Sequence, residues 1–107
     1  MQFEKVKKQI QCVVFNDIRS DEPGYFEAVI LKDKLQALTE NLEISFGKAA
    51  FPSDSGLSVP MEQAVSEFGG IREGQTLYFW GTDHDCIFAM LWPWQDQQHI
   101  TLKLARR

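Results

Sequence analysis

Hydrophobic and polar residues alternate most clearly in the last third of the chain. Within residues 99–105 an apolar side chain falls on every second position, which is the period of a β-strand. Apolar runs at 76–81 and 86–94 predict two further strands, and the polar segments 82–85 and 95–98 predict the loops between them. The last third is therefore predicted to be a three-stranded antiparallel meander.

The first third of the chain predicts a β-hairpin. The run QIQCVVFN at 9–16 is rich in β-branched and apolar residues, and residues 25–32 again alternate, so both are predicted to be strands. The polar segment DIRSDEPG at 17–24 is predicted to be the turn. Residues 3–8 stay open between strand and helix, because the apolar residues around them also fit one helical face: Phe3, Val6 and Ile10.

The middle of the chain predicts two amphipathic helices. The first begins at Asp33, an N-cap residue that Gln36 completes as a capping box, and it stops at Gly47. A second helix begins near Ser58, after an irregular loop over 47–57. The resulting order ββααβββ predicts an α+β fold, with a single-layer antiparallel sheet of about five strands and two helices packed on one face.

The predicted loops of the meander also set its strand register. Trp94 then opposes His99, and Phe79 opposes Phe88. One face of the meander collects aliphatic residues of the last strand, which the helices can cover. The other face is just as apolar, and it carries Leu77, Phe79, Phe88, Met90, Trp92 and Trp94, with His99, Thr101 and Lys103 beside them. Because half-exposed strands normally show polar residues on one side, this second face needs a cover of its own.

Three covers are open for the second face: the chain's own loop 47–57 with Phe51, a second copy of the protein, or a different partner. Pro93 cannot donate a ladder hydrogen bond, so the strand is expected to be bulged or at an edge near that point. We expect a non-enzymatic protein-binding domain, with a homodimer as one form. Its candidate interface residues are Phe79, Phe88, Met90, Trp92, Trp94 and His99. A small-ligand carrier with Trp92 and Trp94 stacking on a sugar or base is an alternative.

Composition and charge limit the partners. The 107 residues fit one domain, 1–107, with a net charge of -4. Residues 9–102 carry a net charge of -9 between basic ends, so we expect no nucleic-acid partner, and an inhibitor-like or immunity-like role would suit a basic partner protein. No apolar run is long enough to span a membrane, and the charged N-terminus and two cysteines predict a cytoplasmic protein.

The loop before the fourth predicted strand offers the only reactive grouping in the sequence. His84 and Cys86 are weak candidate metal ligands, with Asp83 or Asp85 as a third, and they would serve the alternative of a small metal- or Cys/His-dependent enzyme. Zinc needs about four ligands, and the acidic neighbours oppose a thiolate. We therefore expect no metal and no cofactor. A bridge between Cys12 and Cys86 remains open.

Overall fold

The computed structural model describes residues 1–53, 56–82 and 84–107. Its five strands form one antiparallel sheet in the order β1-β2-β5-β4-β3, which confirms the predicted α+β class. A 3-10 helix, Lys32–Lys34, leads into the second α-helix. The remaining elements are α1 Phe3–Ile10, β1 Asp17–Glu22, β2 Tyr25–Leu31, α2 Leu35–Phe46, α3 Val59–Ser66, β3 Thr76–Gly81, β4 Cys86–Pro93 and β5 His99–Arg106.

The predicted strand over 9–16 is wrong, because α1 runs through Ile10 and residues 11–16 form no strand. The buried residues Phe3, Val6 and Ile10 follow the helical period, and this face packs into the core. The first strand lies instead within 17–24, which we predicted to be a turn. As an edge strand it exposes most of its side chains, so it lacks the alternation by which strands are recognised, and its charges protect the edge from further pairing.

The predicted capping box of α2 is also absent. The chain enters α2 through the 3-10 helix, so the N-cap is Lys34 without a side-chain hydrogen bond, and the Gln36 amide donates to Glu40 instead. The predicted stop at Gly47 is confirmed. Its φ of 76° suits glycine, and its N–H donates to the Glu43 carbonyl at 2.8 Å.

Helices cover both faces of the sheet. On the first face α1 and α2 pack against aliphatic residues of β2, β4 and β5. The helix predicted near Ser58 is α3, and it lies on the opposite face from α2, contrary to our expectation that both predicted helices share one face. Between α2 and α3, the chain pairs with the free edge of β3, where Ala50 and Phe51 donate to the Leu77 carbonyl and Leu77 donates back to Phe51.

The predicted register of the meander is confirmed. Phe79 pairs with Phe88, and Trp92 pairs with Thr101. The β3–β4 ladder ends at Leu91, so Pro93 lies where β4 has no neighbour on the β3 side and its missing N–H costs no hydrogen bond. Among the described residues, no helix is long and apolar enough to cross a bilayer.

Candidate functional site

The second face of the sheet is divided between a covered part and a more open end. α3 and the residues after it cover the first part, with Phe68 packed edge-on against Phe88 at 5.9 Å. Phe88 and Met90 are buried there, so these two predicted interface residues do not reach the surface. Phe79 is half-buried on β3 and stacks on Phe88 at 6.5 Å. Phe79, Phe88 and Met90 thus belong to the packed, covered part of the second face.

Three predicted interface residues lie towards the open end of this face, where β4 turns into β5. Trp92, Trp94 and His99 are all half-buried, and we call them the indole surface. Trp92 packs at the margin of the cluster beneath α3, whereas Trp94 and His99 belong to neither hydrophobic cluster of the protein. The part of the second face that remains available to a partner therefore centres on Trp94.

The Trp94 ring is held in place by three contacts. Its indole Nε1 donates to Thr101 Oγ1 at 2.8 Å, and the His99 ring stacks on it with 4.7 Å between centroids. The Arg19 guanidinium lies 5.5 Å from the ring centroid, and its Nε is 3.4 Å from Asp17 Oδ2. A partner that contacts this ring would therefore meet a surface that is already ordered.

His99 is itself oriented by the β4–β5 turn. Its Nδ1 lies 2.5 Å from Asp96 Oδ2, while Asp96 Oδ1 accepts the backbone N–H groups of Gln98 at 2.9 Å and His99 at 3.1 Å. The Gln98 hydrogen bond first, and then the His99 side chain, lower the pKa of Asp96. The carboxylate thus stays ionised and fixes both the turn and the imidazole.

A charged network lies next to Trp92 on the same face. Lys103 Nζ is 4.3 Å from the Trp92 ring centroid and 3.3 Å from Glu27 Oε1, and that same oxygen accepts a 2.5 Å hydrogen bond from Tyr25. Burial acts to raise the pKa of Glu27, but the hydrogen bonds from Tyr25 and Lys103 outweigh it and leave the pKa lowered. Sequence reasoning missed this network, because Glu27 and Lys103 meet only when β2 pairs with β5.

The Trp92 indole differs from that of Trp94 in its hydrogen bonding. Its Nε1 is buried and has no hydrogen-bond partner among the described residues. A buried donor without a partner is uncommon in folded proteins and costs free energy. The ring stays in place through its packing and through the Lys103 ammonium over its face.

The loop that precedes β4 does not assemble a reactive centre from its described residues. His84 and Asp85 are exposed, and the predicted third ligand Asp83 lies outside the described residues. In the described parts of the chain, no group of three or more His, Cys, Asp or Glu residues could hold a metal ion. Cys86 is buried, and desolvation raises the pKa of its thiol. His99 begins β5 at the opposite end of β4, so it is far from this loop.

The two cysteines lie on opposite sides of the sheet. Cys12 follows α1 and is exposed, with its Sγ 3.4 Å from Asn41 Oδ1 of α2, while Cys86 is buried in the cluster beneath α3. Both thiols are free, so the bridge left open by the sequence is not formed.

No family model, curated protein or solved structure matches this chain. Similarity to other proteins therefore assigns no role to the indole surface. Its functional interpretation depends on the geometry and chemistry of its own residues.

Proposed function

We propose that the protein is a non-enzymatic binding domain that self-associates through the indole surface formed by Trp92, Trp94 and His99. The observation that carries this proposal is the position of Trp94, a large aromatic side chain outside both hydrophobic clusters that is nevertheless held by Thr101, His99 and Arg19. Rigid aromatic side chains supply large contact area at low entropic cost, and tryptophan is enriched among residues that dominate binding energy.

A second copy is the partner that the local charges favour. Arg19 and Lys103 lie against the two indole rings, and each has a carboxylate within 4 Å, Asp17 and Glu27 respectively. A two-fold interface brings the same surface of each protomer together, so a surface that mixes both charge signs can complement itself. The apolar rings would form the centre of such an interface and the charges its rim.

The enzymatic alternative has less support in the described residues. The Cys86 thiol is buried and its pKa is raised, whereas a nucleophilic cysteine needs a lowered pKa and access to substrate. We therefore propose that the protein acts by binding rather than by catalysis. A reducing cytoplasm suits this proposal, because both thiols are free.

Truncation of Trp94 tests the proposal. In Trp94→Ala we expect self-association to weaken by about 2 kcal/mol, or roughly 30-fold in dissociation constant, which sedimentation equilibrium over a concentration series can measure. Trp80→Ala is the matched control, because Trp80 is 40% exposed on β3 but its side chain belongs to the opposite face. A wild-type protein that stays monomeric over the whole series, or a Trp94→Ala variant that associates as the wild type does, would contradict the proposal.

A further inference from the structure

A cavity of about 220 Å³ lies beside the β4–β5 turn, at the beginning of α2. Leu35, Pro93, Trp94 and Ile100 form its apolar walls, and Lys32 and His99 also line it. It is open at one side, so a molecule from solvent can enter. The proposed self-association does not require this cavity, although the two share Trp94 and His99.

The volume of the cavity limits the size of what it can hold. Sites for drug-sized ligands and cofactors usually measure about 300–1,000 Å³, and this cavity is smaller. A closed apolar cavity of about 150 Å³ can take up a benzene molecule. The observed 220 Å³ therefore fits one ring or one branched aliphatic group with a small polar group attached.

The charge of the lining limits the polar group. Lys32 brings an ammonium group, a positive charge, to the lining. His99 Nδ1 is already engaged by the Asp96 carboxylate. A carboxylate at the mouth of the cavity would find an ammonium partner in Lys32.

The walls of the cavity are ordered before any ligand arrives. The Trp94 ring is fixed by Thr101 and His99, and the Lys32 backbone N–H donates to the Gln98 carbonyl at 2.8 Å, which ties the start of α2 to the turn. Gln97 lines the same cavity with φ at 61°, a conformation that non-glycine residues seldom adopt. Because the cavity is preformed, binding requires little further ordering of side chains and loses little free energy to it.

We propose that this cavity binds a small apolar monocarboxylic acid, whose aromatic ring or branched chain lies against Leu35, Trp94 and Ile100 and whose carboxylate pairs with Lys32. The chemistry is that of benzoate, phenylacetate or a branched short-chain acid. Binding is reversible and involves no covalent step.

Sodium benzoate is the probe that tests this proposal, followed by the shifts of backbone and indole N–H signals in NMR spectra of the whole protein. We expect saturable shifts at Trp94 and Ile100 with a dissociation constant of about 1 mM or tighter. Neutral benzamide should bind about tenfold more weakly, because it cannot pair with the ammonium.

Substitution of the lysine separates specific binding from general attraction to positive charge. Lys32→Met should weaken benzoate binding about tenfold. Lys34→Met, which removes an exposed charge from the same 3-10 helix but outside the cavity lining, should leave it unchanged. The proposal is overturned if benzoate causes no saturable shifts at Trp94, if benzamide binds as tightly as benzoate, or if the two lysine variants behave alike.

Discussion

The network beside Trp92 predicts that Lys103 stabilises the fold as a counter-ion. The Glu27 and Lys103 side chains are only 19% and 17% exposed, and their charged atoms lie 3.3 Å apart. Lys103→Met keeps an apolar chain against Trp92, but it leaves Glu27 Oε1 with the Tyr25 hydroxyl as its partner. The substitution therefore removes one charge-assisted hydrogen bond and one cation–π contact while it preserves most of the packing.

We expect Lys103→Met to lower the free energy of unfolding by about 1–3 kcal/mol at pH 7. The loss stays within this range because Glu27 keeps some contact with solvent and the hydrogen bond from Tyr25. Because the pKa of Glu27 is lowered in the folded protein, its contribution is present above its ordinary value of 4.5 and is lost as pH falls through the lower folded value. The effect of Lys103→Met should accordingly shrink in acid.

Urea denaturation at pH 7 and in acid measures this effect, with an unchanged m-value as evidence that the unfolded state is the same. The double variant Lys103→Met with Glu27→Gln is the control, since it removes both charges and should recover much of the lost stability. A Lys103→Met protein as stable as the wild type at pH 7 would refute the reasoning. A double variant no more stable than the single one would refute it equally.

Two further predictions concern titration and salt. Burial raises the pKa of Tyr25 and Tyr78, and for Tyr25 the hydrogen bond to Glu27 raises it further. Native protein should therefore form less tyrosinate near pH 10 than urea-unfolded protein does. The folded state favours the neutral phenols, so this stability is present below pH 10 and is lost as pH rises from there through the raised pKa of the folded protein. Native tyrosines that ionise as readily as those of the unfolded protein would contradict the prediction. Two protomers of net charge -4 repel each other, so sedimentation should show tighter self-association as salt rises, and association that weakens with salt would contradict this prediction.

The C-terminal meander was predictable because its loops are short and its strands are strongly apolar. Predicted and observed bounds agree for β3, and β4 ends one residue earlier, at Pro93. Two four-residue loops leave little freedom of register, so the pairing of Trp92 with Thr101 followed directly. The residues of the indole surface could thus be assigned to one face from the sequence alone.

The rest depended on contacts between distant segments. β1 is an exposed edge strand whose apolar and polar residues do not alternate. The pattern over residues 3–8 fits both a strand and a helix, and only the buried face of α1 against the sheet distinguishes the two. The pairing of Ala50 and Phe51 with Leu77, and the packing of α3 on the second face, join segments far apart in the chain, which no local pattern encodes. Because α3 packs on the second face, Phe88 and Met90 are buried beneath it. The candidate interface is therefore reduced to the end of this face that carries Trp94.

The central claim is that Trp94 contacts a second protomer, and oxidative footprinting of the three tryptophans over a concentration series tests it most directly. Mass spectrometry would report the modification rate of each indole separately. The account predicts that Trp94 becomes protected as the concentration rises through the dissociation constant, while Trp80 on the opposite face is modified at a constant rate. A Trp94 rate that stays constant across the series would contradict it.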